Sequence, residues 1–308
     1  MTFRVTFLGT SGAVPTTERN PSGILVNREG ERFLLDVGEG TQRQMMRFGT
    51  GFTVSKVLIS HLHSDHILGL PGLLETWEFM DRTAPVEIFT PSGTVDELRR
   101  FLFTLRDPPD YDVRLRPVED DTTLVETDEY TLRAFQTEHR TRSVGYALVE
   151  ADRKGRFDRE RAEALGVPVG PLFSKLHAGE SVELEDGTVV ASEEVVGEPR
   201  PGRRLVYTGD TRPTDRTVTA ASEADLLIHD GTFTERLADR ARATAHSTAA
   251  EAAEVASRAN AQRLALVHIS SRYPGAPTEH RKEAEEHFDG EVLVPDDGQS
   301  VSLPYPEG

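Results

Sequence analysis

Six consecutive residues, His61-Leu62-His63-Ser64-Asp65-His66, follow directly on the largely apolar run Val57-Leu58-Ile59-Ser60. The run reads as a buried strand, so three imidazoles and a carboxylate stand at its carboxyl end, where open α/β sheets build their sites. Ordinary packing does not call for that density of polar groups. Neutral imidazole nitrogen and carboxylate oxygen are the donors that catalytic Zn²⁺ takes. Four donors in one loop exceed the needs of a single open zinc site. The surplus implies two metals, with further ligands arriving from other strand ends.

The chain has no cysteine, which excludes disulfides and thiolate ligation and leaves nitrogen and oxygen to hold any metal. No segment approaches the roughly 20 apolar residues of a membrane span. The opening Met1-Thr2-Phe3-Arg4-Val5 runs straight into a strand-like pattern without the apolar stretch of a signal peptide. A cytoplasmic protein without membrane association is expected. Acidic residues number 52 against 35 basic ones, for a net charge of -17. Lysine occurs only at positions 56, 154, 175 and 282, and arginine supplies the other 31 basic residues. This balance resembles that of halophilic proteins, whose carboxylate-rich surfaces stay hydrated in high salt. So acidic a chain is a poor general binder of nucleic acid, and an RNA ligand would need locally concentrated positive charge.

Strand-like runs recur from Phe3 to Leu8 through Glu291 to Val294. Helical patterns lie near Thr41 to Phe48, Leu68 to Phe79, Thr94 to Leu105, Ser247 to Ala259 and Pro277 to Phe288. Early strands form hairpins, with a polar turn between Val26 and Arg32, while later strands alternate with helices. The pattern predicts an α/β domain over 1–308, built of two mixed sheets face to face with helices outside. From Ala151 to Val189 the rhythm breaks. Five Gly or Pro residues fall between Gly166 and Gly179, which rules out a long helix and reads as an inserted, projecting arm.

Three more candidate ligands each follow a strand-like run: His139 after Ala134-Phe135, Asp210 in Tyr207-Thr208-Gly209-Asp210, and His268 after Leu264-Ala265-Leu266-Val267. An aspartate there can bridge two metals through its two oxygens. Asp36 is expected to brace the loop after its strand, and His177, His280 and His287 to be solvated.

The His-x-His-x-Asp-His loop followed by a spaced His, Asp and His resembles the metallo-β-lactamase superfamily, and so implies its αββα sandwich. Within it, the chain resembles the ribonuclease Z family over almost its whole length. Phe7-Leu8-Gly9-Thr10 with Val14-Pro15 and Arg19-Asn20, Leu34 to Gln42, and His268-Ile269-Ser270-Ser271-Arg272-Tyr273 are similar to that family's motifs. The element His246-Ser247-Thr248 and the run Gly166-Val167-Pro168-Val169-Gly170-Pro171 narrow the resemblance to it. One departure stands out: His229-Asp230-Gly231-Thr232 occupies the place of a His-Glu-Ala-Thr element, so its carboxylate is one methylene shorter.

The resemblance implies two Zn²⁺ per subunit, with Mn²⁺ admissible. His61, His63 and His139 would hold one ion, Asp65, His66 and His268 the other, and Asp210 would bridge them. It further implies a water activated between the ions, Asp65 as its proton acceptor, and His246, oriented by Asp230, as general acid toward the leaving ribose oxygen. The substrate would be precursor tRNA, cut to leave a 3′ hydroxyl on the tRNA and a 5′ phosphate on the trailer. In the arm, Arg153, Lys154, Arg156, Gly170, Pro171 and Lys175 would grip the tRNA, and the enzyme would work as a homodimer. Two alternatives remain at this point: a small-molecule phosphodiesterase or arylsulfatase-like hydrolase of the same fold, and a non-catalytic RNA-binding scaffold.

Overall fold

Alternation of period two along the strands decides the architecture. In Glu31–Leu35, Phe33 and Leu35 point one way and Leu34 the other; in Arg204–Tyr207, Leu205 and Tyr207 oppose Val206. Each sheet therefore has two apolar faces and must be covered on both. The computed structural model describes residues 2–104, 107–273, 275 and 277–306. Two seven-stranded mixed sheets make up its main unit, Met1–Val149 with Arg204–Pro304.

The first sheet runs Ser300–Ser302, Phe3–Gly9, Gly23–Arg28, Glu31–Leu35, Lys56–Leu58, Val86–Pro91, Val113–Val118. Its first four strands are antiparallel and the rest are added in parallel. The second runs Glu291–Leu293, Arg263–Val267, Leu226–Asp230, Arg204–Tyr207, Val144–Glu150, Tyr130–Gln136, Thr123–Glu126, parallel over its first four. Between the sheets lie Phe3, Val5, Phe7, Phe33, Tyr146, Leu205, Tyr207, Ile228 and Val267. Burying a large apolar side chain of this kind stabilises by roughly 1.5–3 kcal/mol. Outer faces are covered by Thr41–Arg47, Leu70–Phe79 and Val95–Phe103 on one side and by the alanine-rich helix Ala249–Arg258 on the other. This is the expected α/β sandwich. The parallel-paired strands Lys56–Leu58, Arg204–Tyr207 and Arg263–Val267 lead into His61–His66, Asp210 and His268, while His139 follows Tyr130–Gln136, which pairs antiparallel with Thr123–Glu126.

Some elements differ from expectation. The strands Thr123–Glu126 and Ser300–Ser302 are short, polar and at sheet edges, so they carry little hydrophobic signal. Helices Asp215–Ala220 and Ala238–Thr244 are one to two turns long and equally quiet in sequence. The last helix is Thr278–Glu285, shorter at both ends than its apolar pattern. The expected helix end at Leu105 lies outside the described residues.

A second compact unit comprises Glu150–Arg203 and the C-terminal residues from Tyr305. It is wider than the interval Ala151 to Val189. Ala162, Val167, Leu176, Val182, Val190 and Val195 form its own small core. Asp158 caps Arg159–Ala164 by accepting from the Arg161 N–H at 2.8 Å, and Pro171 opens Pro171–Ala178. Within it, Arg203 and Glu150 form a buried ion pair at 2.7 Å, and the Arg153 and Arg203 guanidinium groups stack on the Tyr305 ring.

Candidate metal centre

Strand ends bring the loop and its distant partners together. His61 and His66 are fully buried and Asp65 nearly so, in the turn and short helix Ser64–Ile67 that follow Lys56–Leu58. His61 Nε2 lies 2.9 Å from His63 Nδ1, which lies 3.2 Å from His139 Nε2. Asp210 Oδ2 stands 3.6 Å from His61 Nε2 and 3.9 Å from His139 Nε2. On the other side, His268 Nε2 is 3.1 Å from Asp65 Oδ2, and His66 Nε2 is 3.6 Å from the same oxygen. Asp210 reaches this second group too, with Oδ1 at 3.4 Å from His66 Nε2 and Oδ2 at 3.3 Å from His268 Nε2. All seven expected ligands converge: His61, His63, His139 and Asp210 form one group and Asp65, His66 and His268 another, while Asp210 also groups with His268, Asp230 and His246.

The donor set fits a pair of cations. His66 Nε2 is buried and makes no hydrogen bond, while its Nδ1 is engaged by Asp36 Oδ2 at 2.7 Å. Burial opposes protonation of His61, His63 and His139 and holds their pKa values low, so their nitrogens face one another as lone-pair donors. Burial also disfavours charge on His66, yet Asp210, Asp36 and Asp65 prevail and raise its pKa: that position attracts positive charge. Asp65 and Asp210 are likewise desolvated, but the surrounding imidazoles keep both carboxyls below the usual range. A divalent ion held there would satisfy the orphaned nitrogen and the acidic oxygens together.

Partners behind the candidate ligands fix their orientation. Asp36 accepts from Ser60 N and Ser60 Oγ at 2.7 Å, from Tyr207 OH at 2.6 Å and from His66 Nδ1. It thus does more than brace a loop, since it sets the His66 tautomer. His139 Nδ1 donates to the Ala245 carbonyl at 2.8 Å. Thr232 Oγ1 lies 2.8 Å from His268 Nδ1, and the Ala13 N–H donates to Asp65 Oδ2 at 2.7 Å. Asp36, Ala245 and His268 all hold left-handed backbone, at φ 55°, 55° and 62°. A Cβ at Gly12 would fall 2.5 Å from His268 Nδ1, so only glycine fits there.

His246 stands beside this centre. Its Nδ1 is 2.8 Å from Asp230 Oδ2 and its ring stacks on His268 with centroids 5.0 Å apart. The shorter carboxylate therefore reaches His246, and its other oxygen accepts from Thr232 N and Oγ1. Burial works against a proton on His246, but Asp230 and Asp210 outweigh it and lift its pKa to about 9.

Among known proteins, the beta-lactamase superfamily domain matches residues 188–269 and the anti-Pycsar protein Apyc1 matches residues 3–154. A ribonuclease Z of Natronomonas pharaonis is 65% identical over 307 residues, covering 100% of both chains. That of Haloferax volcanii is 58% identical, covering 99% of this chain and 96% of the relative. The crystal structure of human tRNase Z, short form, gives a TM-score of 0.71 at 27% identity, over 98% of this chain and 99% of that one. The chain belongs to the ribonuclease Z family. Membership in this metallo-β-lactamase-fold family carries dependence on a divalent metal, and it favours the nuclease over the small-molecule hydrolase and the scaffold.

Other expected site residues lie in the second unit. Lys154, Arg156, Pro171 and Lys175 are exposed and Gly170 is half-buried. Arg153 is committed to the Tyr305 ring and to the carbonyls of Pro201 and Pro306. One expectation is corrected: His280 is not solvated but fully buried, with its ring against Tyr273 at 4.5 Å between centroids and no hydrogen bond to either nitrogen. A polar helix sequence concealed that inward face. Sequence reasoning also passed over Thr232, although it ends the motif that holds Asp230, and Arg212, which carries no ligand-type signal.

Proposed function

We propose that this ribonuclease Z family member is a zinc-dependent endonuclease that removes the 3′ trailer of precursor tRNA. The observation that carries the reading is the pairing of the two-cluster donor set with a carboxylate-held imidazole, His246 on Asp230, at its side. His61, His63 and His139 would hold one ion, Asp65, His66 and His268 the second, with Asp210 between them. Metal bound there supplies Lewis acidity and lowers the pKa of water toward neutrality. Zinc suits the nitrogen-rich, thiolate-free set, and manganese is admissible.

The chain's own groups manage the protons. Asp65, kept ionised by its imidazole neighbours against burial, accepts the proton of the attacking water. His246 is anchored through Nδ1, so Nε2 presents a proton to the departing ribose 3′ oxygen, a poor leaving group without one. Asp230 keeps that ring in place, and Thr232 and the Thr211 N–H, both donating to Asp230, keep the carboxylate in place. The products are a tRNA 3′ hydroxyl and a trailer 5′ phosphate.

The unit containing Glu150–Arg203 would serve as the tRNA-gripping arm, with Lys154, Arg156 and Lys175 on phosphates and Gly170 and Pro171 at its tip. Recognition would then follow helical shape more than base sequence. The working form would be a homodimer in the cytoplasm. Among the described residues no helix is long and apolar enough to cross a membrane.

Incubation with a 3′-extended precursor tRNA, mapping the cut and both end chemistries, tests the proposal. A 3′ hydroxyl and a 5′ phosphate flanking a cut at the end of the acceptor stem are expected. A 2′,3′-cyclic phosphate would refute attack by water.

A further inference from the structure

The imidazole of His246 is held at its far end by Asp230, but a ring is positioned only if its backbone is also held. That backbone belongs to the short loop between helices Ala238–Thr244 and Ala249–Arg258, with Ala245 in left-handed conformation. One side chain ties this loop to the segment carrying Asp210. Arg212 Nη1 donates to the His246 carbonyl at 2.5 Å and to Glu251 Oε2 at 2.7 Å, and its Nη2 donates to Glu251 Oε1. Glu251 is in turn fixed by the helix start. Its Oε2 accepts from Thr248 N at 2.9 Å while its own N–H donates to Thr248 Oγ1, a capping box. Arg212 is fixed as well, since its N–H donates to the Glu138 carbonyl, one residue before His139.

A bidentate guanidinium–carboxylate pair is planar and directional, unlike a point charge on a flexible stem. Here it registers two segments, 210–212 and 246–251, while the Arg212 backbone N–H separately ties the first of them to Glu138. We propose that Arg212 and Glu251 form a positioning clamp that sets the aim of His246 at the leaving oxygen. Neither touches the reacting atoms; both act through the His246 backbone. The inference rests on the reading of His246 as proton donor. The loop keeps other ties when the clamp is lost: Ser247 Oγ donates to the Thr211 carbonyl at 2.6 Å, His246 N–H to the Ala241 carbonyl at 2.9 Å, and the Ala245 carbonyl still receives His139. Loss of the clamp therefore loosens the imidazole without releasing the ligands.

The test compares two phosphodiesters. Precursor tRNA has a ribose leaving group that needs a proton; bis(p-nitrophenyl) phosphate releases nitrophenolate, which does not. Zinc-loaded Arg212→Gln and Glu251→Gln should each lower kcat on precursor tRNA by about 10- to 100-fold, the scale of a misplacement near 1 Å. KM on tRNA, turnover of the nitrophenyl ester and zinc per chain should stay within about twofold. Arg212→Lys, which keeps charge but not the fork, should recover only part of the loss and covers the case in which the glutamine variant is insoluble. Arg212→Gln added to His246→Ala should be no slower than His246→Ala alone. Equal loss on both substrates, loss of zinc, or multiplicative effects in the double variant would overturn the clamp. If His246→Ala itself slows both substrates alike, the proton-donor reading fails first, and the two failures are told apart.

Discussion

Replacing Asp36 by Asn isolates the hydrogen bond that sets the His66 tautomer. Asn tolerates left-handed backbone, so φ 55° is retained, whereas Ala would add strain and a cavity. Three donors converge on Oδ2 (Ser60 Oγ, Tyr207 OH and His66 Nδ1), and Ser60 N donates to Oδ1. An amide cannot serve them all. With its NH₂ at the crowded position, His66 Nδ1 must turn acceptor and the ring proton moves to Nε2, the atom that should receive metal. With its NH₂ at the other position, two N–H groups face each other near 2.7 Å. Either way one buried donor goes unpaired, at about 1–3 kcal/mol. Loss of such a supporting carboxylate lowers metal affinity by about 10- to 100-fold, which is about 1.4–2.8 kcal/mol at 1.4 per decade. Zinc titration against a competing chelator measures it, with unfolding curves on the same samples. Tyr207→Phe removes one donor but keeps the His66 contact, so it should cost about 1 kcal/mol of stability and leave zinc affinity within about threefold. The reasoning is wrong if folded Asp36→Asn binds zinc like the parent, or if Tyr207→Phe loses as much affinity as Asp36→Asn.

Asp210→Ala should lose both metal and most activity, whereas His246→Ala should keep its zinc and slow tRNA cleavage by about 10²- to 10⁴-fold; equal metal loss in the two, by elemental analysis, would refute the division of labour. Burial depresses His280 to a pKa of about 4, so its ring is neutral in the fold. Because the folded value lies below the unfolded one, stability is present above about pH 6.5 and falls as the pH drops toward 4. Chemical denaturation of His280→Met should show an acid limb shallower by about 2 kcal/mol between pH 7.5 and 5, and an unchanged limb would mean the ring is not buried neutral. Exchanging Lys154, Arg156 and Lys175 for Glu should raise KM on precursor tRNA at least tenfold and flatten its salt dependence by roughly one power per lost phosphate contact. Turnover of a nitrophenyl phosphodiester should not change, and a KM on tRNA unmoved by the triple exchange would remove those residues from recognition.

How much of this was legible in the sequence depends on whether a residue's job is local. The ligand loop announces itself because His61, His63, Asp65 and His66 are neighbours in the chain. His139, Asp210 and His268 are each unremarkable turn residues, and they stand out only because each follows a strand-like run, in an order after the loop that resembles the superfamily's. Supporting groups leave no such trace. Asp36 is assigned to His66 by a fold that aligns Glu31–Leu35 with Lys56–Leu58, and Arg212 finds Glu251 across 39 positions. His280 shows the opposite failure, since a helix of mean polar character hides its buried positions, His280 and Ala284, among its charges. Sequence patterning reports averages over a face, whereas orientation is set by single contacts between segments that only tertiary packing brings together. The donor set, fixed by residue type, could therefore be read from the chain. What keeps those donors aimed is distributed over residues chosen by register, and for that reason the informative variants are Asp36, Arg212 and Glu251 more than the ligands themselves.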